Sequence, residues 1–137
     1  MPGSYPRVGV GGVVMEDGKV LLLLRRKEPE AGAWSLPGGR VEFMERLEDA
    51  VVRELREELG ITVEVESLVC VTNHIVPDEN AHWASPAYRV RLISGVPQNL
   101  EPGKTAAVEW FSLSNLPVNL SMSARSALAS FLPGALT

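Results

Sequence analysis

The sequence predicts an α/β fold, a mixed β-sheet with helices packed on its faces. Apolar, β-branched runs recur at Arg7–Met15, Val20–Arg26, Thr62–Val71, Ala87–Ile93 and Ala107–Leu113, which is how strands read. Helical spacing occurs twice, at Glu48–Leu59 and Met122–Leu132. The order is strands, helix, strands, helix, not the regular alternation of parallel βαβ units. The chain of 137 residues suits one domain, 1–137, with residues 1–6 as a loose tail.

Composition narrows the function classes. Hydrophobic residues make up 45% and charged residues 22%, a globular balance and not a disordered one. No apolar run approaches the roughly 18 residues of a membrane span. Met1–Ser4 lacks the basic and then apolar pattern of a secretory signal. The formal net charge of -4 argues against a strongly basic surface for a nucleic-acid polymer. The single cysteine, Cys70, leaves no internal disulfide and no cysteine-rich zinc site. A reducing, cytoplasmic setting is the expectation.

The elements follow in order. The first two apolar runs flank Asp17-Gly18 and read as a hairpin. Gly9, Gly11 and Gly12 do not make a dinucleotide fingerprint, because Val14 stands where the third glycine belongs. They read instead as a strand approached closely by backbone or ligand. Lys27–Pro37 reads as a loop. Gly60 closes the first helix. Asn73–Pro86, with His74, His82 and Trp83, is expected to be a long loop. Ser94–Ala106 is another. The second helix is expected to stop at Pro133-Gly134.

The first helix carries the chemistry. Glu54, Glu57 and Glu58 stand at i, i+3 and i+4 and share a face, while Val51, Val52, Leu55 and Leu59 share another. Carboxylates at this spacing repel by roughly 0.2–0.5 kcal/mol per pair. One reading is a solvated face laced with salt bridges to Arg53 and Arg56. The other is a site for a hard divalent cation such as Mg²⁺, held by carboxylates together with substrate phosphates. The turn Pro37-Gly38-Gly39 before the helix favours the second, since glycine backbone can approach a metal or a diphosphate.

The stretch Gly39 to Ile61 resembles the Nudix box, Gly-x5-Glu-x7-Arg-Glu-U-x-Glu-Glu-x-Gly-U, where U is a bulky aliphatic. Gly39, Glu45, Arg53, Glu54, Leu55, Glu57, Glu58, Gly60 and Ile61 fill every fixed position. Trp34-Ser35-Leu36-Pro37-Gly38 leads into it as in many members. The later segments Asn99–Lys104, Glu109-Trp110-Phe111 and Asn115-Leu116-Pro117 look like those of short MutT-type members. Met44 departs from the glycine that many relatives carry before the box glutamate.

The resemblance implies an α/β/α sandwich around a mixed sheet, and Mg²⁺ (or Mn²⁺) as cofactor. It implies Glu54, Glu57 and Glu58 as metal ligands, with Glu54 or Glu58 also taking the proton. The Gly38 carbonyl is a further ligand candidate, and Glu101 a last carboxylate for metal or water. Glu45 and Arg53 would pair to hold the loop against the helix. Arg26 matches the strand-end arginine that reaches a substrate phosphate in relatives, with a solvated arginine as the alternative. Arg40 stands open between phosphate and solvent, as Lys104 does. Trp34 and Trp83 stand open between stacking on a base and packing. Tyr88, Trp110, Phe111 and Cys70 read as core.

The activity this implies is hydrolysis of a nucleoside triphosphate to the monophosphate and pyrophosphate, with an oxidised or non-standard nucleotide such as 8-oxo-dGTP among the candidates. One alternative is a hydrolase of ADP-ribose, another nucleotide sugar or a non-nucleoside diphosphate. A non-catalytic nucleotide sensor is the other, disfavoured by the intact carboxylate cluster. The expected partner is a small nucleotide or diphosphate, with a homodimer as the family's common assembly.

Overall fold

The computed structural model describes residues 5–131, so the stop expected at Pro133-Gly134 and most of the expected tail lie outside the described residues. Strand β1 (Arg7–Glu16) turns at Asp17-Gly18 into β2 (Lys19–Arg25). Both turn residues have positive φ, 53° and 76°, the pattern of a two-residue hairpin turn whose twist matches the strands. Two short strands follow, β3 (Trp34–Ser35) and β4 (Gly38–Arg40), within the stretch expected to be loop and turn. Helix α1 (Leu47–Leu59) comes next, then β5 (Thr62–Val76), β6 (Ala81–Ser94), β7 (Thr105–Ser112) and α2 (Met122–Leu128).

The expectation of a long loop at Asn73–Pro86 is corrected by the structure. β5 runs on to Val76, a 3₁₀ turn occupies Pro77–Glu79, and β6 begins at Ala81. The two strands pair antiparallel through Val76↔Ala81, His74↔Trp83 and Val71↔Pro86. The proline is tolerated beside register shifts in a pairing that is irregular along its length.

The sheet is mixed. β1 pairs parallel with β6 and antiparallel with β4, while β2 pairs antiparallel with β7 and briefly with β3. Side chains of β1 alternate between two cores. Val10 and Val14 join Leu21, Val51, Leu55, Leu59 and Ile61 under α1. Val13 joins Val20, Leu22, Leu36, Ala124 and Leu128 under α2. This is the α/β/α sandwich. Each fully buried leucine contributes roughly 1.5–3 kcal/mol relative to exposure.

α1 starts without a side-chain cap, but Glu48 and Asp49 in its first turn suit the helix dipole. It ends at Gly60, φ 70°, whose N–H donates to the Arg56 carbonyl. The loop after β6 covers two more of the carbonyls at this end. Leu100 N–H donates to Glu58 O at 3.1 Å and Gln98 N–H to Leu59 O at 3.0 Å. That contact carries Glu101 to the helix.

Candidate active site

Two glycines let β4 fit between β1 and α1. A Cβ at Gly38 would overlap the Val10 carbonyl, and one at Gly39 would overlap the Glu54 carboxylate. Gly38 N–H donates to Glu58 Oε1 at 3.0 Å, tying strand to helix. Gly9 and Gly11 on β1 line the cavity in front of these groups. A Cβ at Gly11 would press on Leu36 at 3.2 Å. The glycine-rich strand is thus where backbone and neighbouring side chains come close.

The three box carboxylates are not equivalent. Glu58 is buried, contrary to an evenly solvated acidic face, because α1 leans this edge on β4. Burial pushes its carboxyl up to about 8, against the lowering effect of the Gly38 N–H. Glu54 is half-buried, and its carboxyl is also raised, chiefly by burial. Glu57 has a side chain 52% exposed and reaches Arg53 Nη1 at 3.3 Å. It is not on the cavity wall, which carries Glu54, Glu58 and Glu101.

Arg53 binds across the whole segment. Nε and Nη2 donate to the two oxygens of Glu45 at 2.7 and 2.8 Å, Nη1 to Glu54 Oε1 at 2.8 Å, and Nη2 to the Arg40 carbonyl at 3.1 Å. The Arg53 guanidinium, helped by the Glu42 N–H, holds the Glu45 carboxyl down at about 2. Met44, one residue earlier, sits at φ 68°. That left-handed region favours glycine, which accounts physically for the glycine of many relatives.

The cations divide in a way the sequence order does not suggest. Arg25, Lys27, Arg40 and Lys104 line the cavity. Arg26 does not. Its Nε donates to the Pro102 carbonyl at 2.7 Å and its N–H to the Lys104 carbonyl at 3.0 Å. It pins the loop that carries Glu101, and Arg25, one residue earlier, takes the inward place. Trp34 also lies off the cavity, its ring edge-on to Phe111 at 4.7 Å in the core under α2. Trp83 lines the cavity, with Arg7 over its ring at 5.8 Å. Glu30, His74 and Ser123 join the wall and were absent from the expected site. His74 was hidden by the loop reading, since only a strand aims alternate side chains inward.

Among the described residues, no group of three or more His, Cys, Asp or Glu stands ready around one metal position. Arg53 engages one oxygen of Glu54, and Gly38 N–H one oxygen of Glu58. The donor chemistry nonetheless suits a divalent cation. Glu54, Glu58 and Glu101 are hard oxygen donors near enough for Glu101 to raise the carboxyls of the other two. A cation would relieve that repulsion.

The chain belongs to the NUDIX domain family, whose model matches residues 5–133. It is 44% identical to a MutT NUDIX hydrolase from Burkholderia pseudomallei, with a TM-score of 0.89 over 93% of this chain and 98% of that one. It is 39% identical over 113 residues, 82% of the chain, to an ADP-ribose pyrophosphatase from Methanocaldococcus jannaschii. It is 46% identical over 87 residues, 61% of the chain, to the CTP pyrophosphohydrolase of Escherichia coli K12. The chain spans 66% and 64% of the lengths of those last two relatives.

Proposed function

We propose that the chain hydrolyses a diphosphate linkage in a nucleoside triphosphate, giving the nucleoside monophosphate and pyrophosphate, with Mg²⁺ as cofactor. One observation carries the reading. A cavity of about 390 Å³ brings Glu54, Glu58 and Glu101 together with Arg25, Arg40 and Lys104. Carboxylates alone would repel a phosphate chain, and cations alone would bind it without activating water. Both on one wall suit metal-assisted phosphoryl chemistry.

Gly38, Glu54, Glu58 and Glu101 would hold the ion, with Glu57 able to join only if its exposed side chain turns inward. When bound, a divalent ion supplies charge neutralisation at the phosphate and a lowered pKa for water. Arg25 and Arg40 offer planar donors to phosphate oxygens. Trp83 offers a ring face to a base. Arg53 and Glu45 act on geometry, by fixing Glu54 and the β4 backbone.

Purified protein with Mg²⁺ should convert at least one nucleoside triphosphate to its monophosphate and pyrophosphate, resolved by product chromatography. Silence on every triphosphate removes the reading. The Methanocaldococcus relative favours a second one, in which ADP-ribose is cleaved to AMP and ribose phosphate. Release of AMP from ADP-ribose without triphosphate turnover selects it.

A further inference from the structure

The sheet order β3-β2-β1-β6-β5 leaves β5 at an edge. Among the described residues, no strand pairs with its outer side. A free edge is a row of unpaired N–H and C=O groups, and proteins guard such rows with charges, prolines and bulges. β5 is guarded over one half only. Its first half carries Glu64 and Glu66, and its register against β6 shifts between Thr62/Val63, Val65/Ser67 and Leu68/Cys70. Over residues 70–76 the pairing is regular, from Cys70↔Ala87 to Val76↔Ala81. That run contains no Asp, Glu, Lys, Arg or Pro.

The unguarded half also borders an exposed apolar stripe. Thr72 and His74 are buried, so Val71, Asn73 and Ile75 share the opposite face. Val71 is 56% exposed and Ile75 53%. α1 covers the same face farther along, over Tyr88 and Val90 of β6 and Val10 and Val14 of β1. Beside Asn73 the face continues through Ala84 to the exposed Val8. Edge and stripe together suit one more strand with an apolar stripe of its own.

The run itself supplies such a strand. Its pattern is symmetric about Asn73. Val71 and Ile75 are β-branched and exposed, Thr72 and His74 are polar and buried, and Cys70 and Val76 are uncharged and half-buried. Antiparallel pairing about a two-fold axis at Asn73 sets Val71 of each copy opposite Ile75 of the other. Asn73 meets its own copy there, and an amide is both donor and acceptor for its like. Glu64 and Glu66 fall outside the paired run, so their carboxylates are not set against each other. An isologous contact requires this self-complementarity. We propose that residues 70–76 are the interface of a homodimer, joining the sheets of two copies edge to edge. The proposal stands independently of the chemistry in the cavity.

Sedimentation velocity of the full chain from about 1 µM to 1 mM covers the range that small interfaces span. The wild type should pass from monomer to dimer within it. Val71→Lys and Ile75→Lys should each raise the dimer dissociation constant roughly tenfold or more, since each buries a charge against an apolar partner. Both positions are exposed in the single chain, so circular dichroism should show an intact fold. Val118→Lys, at an exposed valine outside the sheet, should leave the constant unchanged. The axis is checked by Asn73→Cys in a Cys70→Ala background. Opposed Cα atoms of an antiparallel pair lie about 4.5–5.5 Å apart, within reach of a disulfide. Mild oxidation should therefore give a covalent dimer far faster than with Val118→Cys in the same background. A monomer at every concentration overturns the proposal and leaves the edge to an extended segment of another protein. A dimer indifferent to both lysine variants overturns it by placing the contact elsewhere. Crosslinking of Asn73→Cys no faster than that of Val118→Cys overturns it by moving the axis.

Discussion

Arg53 and Glu45 meet at two points, Nε to Oε2 at 2.7 Å and Nη2 to Oε1 at 2.8 Å. Glu45 precedes α1 and Arg53 stands in its middle, so the contact fastens the glycine turn to the helix. The remaining reach of Arg53, to Glu54 and to the Arg40 carbonyl, extends that clasp to the cavity wall.

This clasp should make stability depend on acid. The Glu45 carboxyl is depressed from 4.5 to about 2 in the fold. Its contribution is therefore complete above 4.5 and fades as pH falls from there toward 2. Glu45→Gln should cost about 1–2 kcal/mol at pH 7 and almost nothing at pH 2. Thermal melts at the two pH values check this, and an equal loss at both would show that shape, not charge, holds the turn.

Glu58→Gln should separate folding from function. The amide keeps an oxygen for the Gly38 N–H and removes a carboxylate from a buried place. Stability without metal should hold or rise. Hydrolysis should fall by roughly 10²-fold or more, and the upward Tm shift on adding Mg²⁺ should shrink. Melts with and without Mg²⁺, beside product assays, would refute the assignment if the variant kept both.

Gly39→Ala and Gly38→Ala should fail differently. The first Cβ meets a side chain, the Glu54 carboxylate, which can move away. Activity should drop by up to about 10²-fold for a displacement near 1 Å, with little change in Tm. The second Cβ meets the Val10 carbonyl in the β1–β4 pairing. That variant should show a clear loss of Tm, and the pair of melts and assays distinguishes the two effects.

Met44→Gly should stabilise the protein. Met44 is 89% exposed and at φ 68°, so its side chain offers little packing in return for a strained backbone. Relief of about 1–2 kcal/mol exceeds the roughly 0.5–1 kcal/mol that glycine costs through the unfolded chain. Urea unfolding should show a small positive change. A loss would mean that the exposed methionine makes a contact of its own.

Much of the molecule could be read along the chain because its causes are local. The α1 stripe of Val51, Leu55 and Leu59 repeats with the helical period, Gly60 accommodates the left-handed stop, and Asp17-Gly18 supplies two positive φ angles in succession. The spacing of Glu54, Glu57 and Glu58 likewise needs no partner to be seen.

Other features depend on residues far apart in sequence. Arg25 faces inward and Arg26 does not, because β2 alternates and the Pro102 and Lys104 carbonyls arrive to occupy Arg26. Trp34 joins the core because Phe111 lies beside it. Glu58 differs from Glu57 only because β4 covers one edge of the helix. His74 belongs to a strand because β6 pairs with it, and its ring meets Glu30 from a distant loop. Periodicity along the chain records which way a residue leans from its own helix or strand, whereas burial and hydrogen bonding depend on what the folded chain brings opposite it.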